Sequence, residues 1–73
     1  MVLEEGNLSG AIKGFHNTDT VFKFNGGGVW AQAEYNYIYK YLYSPYARVV
    51  EKNGTAYIEI EGIDASVPVR RCS

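Results

Sequence analysis

Cysteine and histidine are almost absent from this sequence of 73 residues: Cys72 and His16 stand alone. One cysteine excludes a disulfide within the chain, and one Cys with one His falls short of the about four ligands that a structural zinc site takes. The lone thiol fits a reducing compartment, where pairing is limited to an adventitious bridge between copies. Charge of one sign is missing as well. Seven Lys and Arg against eight Asp and Glu leave a net charge of -1 and a pI near 5.7, and the cations are scattered from Lys13 to Arg71. Binding to a nucleic acid rests on neutralised phosphates, so no nucleic-acid partner is expected. No apolar run approaches the ~20 residues of a membrane span. The opening Met1-Val2-Leu3-Glu4-Glu5-Gly6 has neither the basic nor the apolar segment of a secretory signal. The expectation is a cytoplasmic protein without membrane contact.

Helical signals are absent too: no window sets apolar residues at three- and four-residue spacing between a cap and a closing glycine. Instead, β-branched and aromatic residues alternate between turns. The chain therefore reads as one all-β domain over residues 1–73, a small bent antiparallel sheet or open barrel or sandwich of five to six strands, SH3-like in size. A chain this short hides only ~60% of the surface its unfolded form exposes. Without disulfide or metal, it must gain stability from aromatic packing or oligomerisation.

A first strand is expected from Leu8 to Phe15, bent by Gly10 and Gly14, and a second from Thr20 to Phe24 with Phe22 and Phe24 on one face and Val21 and Lys23 on the other. Between them His16-Asn17-Thr18-Asp19 is a polar turn, and Asn25-Gly26-Gly27-Gly28 turns the chain again. A phosphate loop is not the reading of these glycines, because a strand rather than a helix follows. The third strand spans Val29 to Ser44, which at ~3.3 Å per residue is too long to stay straight. Its odd positions carry Val29, Ala31, Ala33 and five tyrosines; its even positions carry Trp30, Gln32, Glu34, Asn36, Ile38, Lys40 and Leu42. The odd face is taken as the core side. Ser44-Pro45 ends this strand, since proline cannot donate to a ladder.

Asn53-Gly54 is a strong hairpin signal, because a type I′ turn needs positive φ at both central residues. The register that follows sets Lys52 opposite Thr55, Val49 opposite Ile58 and Ala47 opposite Ile60, with Arg48 opposite Glu59 as an ion pair on the other face. Val67 to Arg71 forms a last strand.

No residues form a catalytic constellation. His16 and Asp19 lack a nucleophile at an informative spacing, and Glu59 and Glu61 are solvated carboxylates on one strand face. The chain is expected to be non-enzymatic, with no cofactor and no metal. Binding or interface residues are expected in two groups. Trp30 and Gln32, with Tyr35, place an aromatic plate beside a two-way hydrogen-bonding amide, as one wall of a small-ligand pocket would. Tyr35, Tyr37, Tyr39, Tyr41 and Tyr43 form a row that serves core packing, an oligomer interface or a base- or sugar-stacking platform. Five hydroxyls are hard to satisfy inside so small a core, which favours the interface.

The stretch Phe22-Lys23-Phe24-Asn25-Gly26, then Val29-Trp30-Ala31-Gln32, then the alternating tyrosines up to Pro45, resembles a family of short bacterial proteins that includes integron gene-cassette proteins. Ile60-Glu61-Gly62-Ile63-Asp64, followed by Val67 and Val69, is similar to that family's C-terminal pattern. The resemblance covers most of the chain from Phe22 onward. It implies a compact β-rich domain, a mobile-element setting and homo-oligomers, and it brings no activity with it. The three-glycine turn is longer than the family's Asn-Gly, and Ala31 stands where relatives carry a second Gln.

Overall fold

The computed structural model describes residues 1–72. These residues form eight strands and no helix: β1 (Val2–Asn7), β2 (Ala11–Phe15), β3 (Val21–Lys23), β4 (Val29–Gln32), β5 (Ile38–Tyr43), β6 (Tyr46–Lys52), β7 (Thr55–Ile60) and β8 (Ser66–Arg71). Six of them make one curled antiparallel sheet, a half-barrel in the order β1-β6-β7-β8-β4-β3, and β2 pairs with β5. A bridge between Leu8 and Phe24 draws the two edges of the half-barrel together.

The two sheets share one ribbon. Asn7 lies opposite Tyr46 and Ala11 opposite Tyr43; between them Leu8 N–H donates to the Pro45 carbonyl and Ser44 N–H to the Gly10 carbonyl, both at 2.8 Å. The β1–β6 pair thus continues into β2–β5 around a corner. Ser44 takes a positive φ of 48° there, and its hydroxyl donates to the Leu8 carbonyl at 2.8 Å. Beyond the corner, Ile12 and Phe15 on β2 join a core with Phe22, Phe24, Trp30, Val49, Ile58, Ile60, Val67 and Val69, while Ile38 and Leu42 on β5 pack against it. Phe15 and Phe22 meet edge to face with ring centroids 5.9 Å apart.

The hairpin has the expected register, with Lys52 opposite Thr55, Val49 opposite Ile58, Ala47 opposite Ile60 and Arg48 opposite Glu59. Asn53 and Gly54 have φ of 54° and 83°, as the turn type requires. Gly54→Val strains a β-branched residue at positive φ, and we expect a loss of about 1 kcal/mol or more, seen as a lower urea midpoint at unchanged slope.

Three expectations are corrected. The chain from Leu8 to Phe15 is not the first strand: β1 precedes it, and Leu8 is a bridge residue rather than part of β2. A bulge between Val2 and Glu4 in the β1–β6 register accompanies a Glu4 carboxylate that accepts from Trp30 Nε1 at 2.8 Å and from Gly28 N–H at 3.1 Å. Nothing in Val2-Leu3-Glu4-Glu5 announces that placement. The strand expected from Val29 to Ser44 is two strands, broken at Ala33–Tyr37. Finally, the core side of this segment is the even one: Trp30, Gln32, Ile38 and Leu42 turn inward, and the tyrosines turn out. Ile38 and Leu42 bring no polar tip with them, whereas a buried tyrosine needs a partner for its hydroxyl.

Candidate functional site

The tyrosines form an exposed aromatic surface on β5 and its lead-in. Tyr35 is 74% exposed, Tyr37 57%, Tyr39 61%, Tyr41 57% and Tyr43 75%, against an ordinary expectation that large aromatics are mostly covered. Strand pairing explains how they are held out. Tyr43 lies opposite Ala11 and Tyr39 opposite Gly14, so small residues stand across from two of the rings. From Ile12 to Gly14 on β2, the partner strand runs from Leu42 to Tyr39 and carries one more residue, a bulge that matches Leu42 and Ile38, four residues apart, to Ile12 and Phe15, three apart, on the core side. Gly14 is buried and runs at φ 95°, and a methyl there would overlap the Ile38 carbonyl, so the position requires glycine on both counts.

Tyr35 and Tyr37 are carried by the loop after β4, and Gln32 fixes that loop. Its side chain is fully buried. Oε1 accepts from His16 N–H at 3.0 Å. Nε2 donates toward the carbonyls of His16 at 3.2 Å, Glu34 at 2.8 Å and Asn36 at 3.1 Å. One amide thus serves the backbone of two loops that lack a strand partner. His16 in turn meets the Tyr37 ring edge to face at 5.2 Å.

The expected pocket wall of Trp30, Gln32 and Tyr35 is not assembled, which corrects the first group of candidate residues. Trp30 is 4% exposed and Gln32 not at all. The indole N–H is held by Glu4, the amide is engaged by the loops, and Tyr35 stands in solvent. The guanidinium of Arg71 lies 5.3 Å from the Trp30 ring centroid. These residues support the fold that presents the tyrosines and offer no free polar group to a ligand.

One exposed aromatic escaped the sequence reading. Tyr46 begins β6 beyond Pro45, and its hydroxyl donates to the Glu5 carboxylate. That hydrogen bond, then desolvation and the Glu5 charge, hold its phenol above the usual range. Two-residue periodicity from Arg48 is the signal that identifies its face. Arg48 Nε meets Glu59 at 2.9 Å, and this hydrogen bond, with the carboxylate's charge, raises the guanidinium further. Among the described residues, no three His, Cys, Asp or Glu side chains group to hold a metal, and no helix is long and apolar enough to cross a membrane.

Fold and surface together define a small antiparallel β domain with one core and one exposed aromatic face. No protein-family model, curated protein or solved structure matches the chain.

Proposed function

We propose that this protein is a non-enzymatic binding module that self-associates through the tyrosine face, and that its partner is protein rather than nucleic acid. The observation that carries this reading is the exposure of all five rings from Tyr35 to Tyr43 beside a core already filled by other residues. Exposed aromatic surface of this extent on a small domain supports a contact site, and tyrosine is enriched at interfaces because its ring supplies apolar area while its hydroxyl stays paired or wet. A two-fold axis through the face would bring the same rings together from both copies. The even charge balance supports a contact that does not depend on phosphates. The resemblance to short proteins of the integron gene-cassette kind supports a bacterial, cytoplasmic accessory role.

Sedimentation of the wild type at micromolar concentration should show at least a dimer, and the Tyr39→Ser, Tyr41→Ser variant should sediment as a folded monomer. A monomeric wild type, or a variant that associates equally well, would remove the tyrosines from the interface.

A further inference from the structure

The geometry points to a second binding site, in the gap between β2 and β3, that takes an extended peptide segment of a partner protein by strand addition. This site adjoins the tyrosine face across β2 and includes none of its rings.

The two strands begin as neighbours and then part. Ser9 N–H donates to the Lys23 carbonyl at 2.7 Å, and Leu8 bridges Phe24, but beyond these bonds β2 and β3 are not paired. They are joined again only past the gap, where Thr20 N–H reaches the Asn17 carbonyl at 3.0 Å. Between these ends lies a cavity of about 230 Å³ lined by Ala11, Ile12, Lys13, Gly14, His16, Thr20, Val21 and Phe22.

Alternation along each strand decides which backbone groups face it. On the first strand, Gly10 accepts from Ser44 and Ile12 pairs with Leu42, so even positions address β5. Ser9 addresses β3, and Ala11, before the bulge, shares its side. On β3, the Thr20 carbonyl and Phe24 N–H bond toward the β4 hairpin, whereas the Lys23 carbonyl serves Ser9. Val21 therefore turns its N–H and C=O into the gap. The Lys13 carbonyl is taken by His16 Nε2 at 3.0 Å. Among the described residues, the N–H and C=O of Ala11 and of Val21 remain as two unpaired edges facing each other over Ile12 and Phe22.

The fold already uses this mode of contact at the inner end of the gap. The Gln32 side-chain amide accepts from His16 N–H at 3.0 Å and donates to the His16 carbonyl at 3.2 Å. In an inserted strand the C=O and N–H of one residue, belonging to two successive peptide units, would make the corresponding pair of bonds with Ala11. The cavity lies below the ~300 Å³ at which small-molecule sites begin, a size that suits a few residues of extended backbone. Charge selects among such segments. Lys13 and Lys23 are exposed on the two strands, and Asp19 is the single carboxylate from Leu8 to Phe24. A segment with small apolar side chains over Ile12 and Phe22 and acidic ones outward satisfies both edges and rim.

The probe is the peptide Glu-Val-Glu-Val-Glu with acetyl and amide ends, added to ¹⁵N-labelled protein. Saturable shifts centred on the Ala11 and Val21 amides are expected, with exchange of these amides slowed at least ~tenfold. The same peptide N-methylated at alternate amides keeps its side chains and loses its edge bonds, so it should bind at least ~tenfold more weakly. The peptide Lys-Val-Lys-Val-Lys, or the probe tested on the Lys13→Glu, Lys23→Glu variant, should also lose affinity. No shift at saturating peptide, shifts confined to the tyrosines, or equal binding of the N-methylated peptide would overturn the proposal. So would protection of Ala11 and Val21 that grows with protein concentration alone, which would give the gap to a second copy of this chain.

Discussion

Gln32→Leu should cost the protein about 4 kcal/mol, a large part of the roughly 4–11 kcal/mol expected for a domain of this length. Leucine approximates the volume of glutamine, so the substitution deletes hydrogen bonds without opening a cavity. It strips partners from the His16 N–H and from the carbonyls of Glu34 and Asn36. The His16 carbonyl keeps Asn36 N–H at 3.2 Å. Each backbone group left without a partner away from water costs about 1–3 kcal/mol, and the loop's own access to solvent recovers part of that. Gln32→Glu should be as damaging, because a carboxylate would face three carbonyl oxygens and donate nothing. Urea denaturation gives the magnitude. Amide exchange gives the location: protection should fall first at His16 and Asn36, with the β6–β7 hairpin losing protection only at global unfolding.

Gly14→Ala should be comparably severe. The residue combines φ of 95° with backbone packed against it, since an added methyl would meet the Ile38 carbonyl. Backbone strain costs about 1–3 kcal/mol, and forcing atoms into a packed site costs typically a further 1–3. We expect a total of about 4 kcal/mol, read as a lower thermal midpoint. The Tyr39 and Tyr41 rings should also lose their fixed positions, because Gly14 is where β5 is held.

Local signals in the sequence were legible and remote ones were not. Asn53-Gly54 specifies its own turn, and with it the pairing of six residues on each strand. Simple alternation puts Phe22 and Phe24 on one face and Val21 on the other, and the two phenylalanines are buried while Val21 is exposed. In contrast, the period of two runs unbroken from Val29 to Tyr43, yet the strand stops at Gln32. The cause is a side chain that bonds to His16, sixteen residues earlier, and no periodicity records it. β1 was missed for a similar reason. A bulge upsets alternation at Leu3, and Glu4 finds its partners 24 and 26 residues away at Gly28 and Trp30.

The candidate site divides in the same way. An aromatic row was plain in the sequence, but its facing depended on a comparison of neighbours: Ile38 and Leu42 are purely apolar and displace the tyrosines from the interior. Trp30 and Gln32 read as a free aromatic and a free amide only because their partners, Glu4 and the loop backbone, lie far off in sequence. The Arg48–Glu59 pair was legible, at 2.9 Å, because both residues sit within one hairpin.

The central claim is that the exposed tyrosines are a contact surface between copies, and ring-selective NMR tests it most directly. With ¹³C-labelled tyrosine, spectra taken from roughly 10 µM to 1 mM span the dissociation constants of weak to moderate complexes. The account predicts that the ring signals of Tyr39, Tyr41 and at least one of Tyr35, Tyr37 and Tyr43 shift together with concentration, while that of Tyr57, within the hairpin, stays fixed. Ring signals from Tyr35 to Tyr43 that hold their positions across the whole range would contradict it.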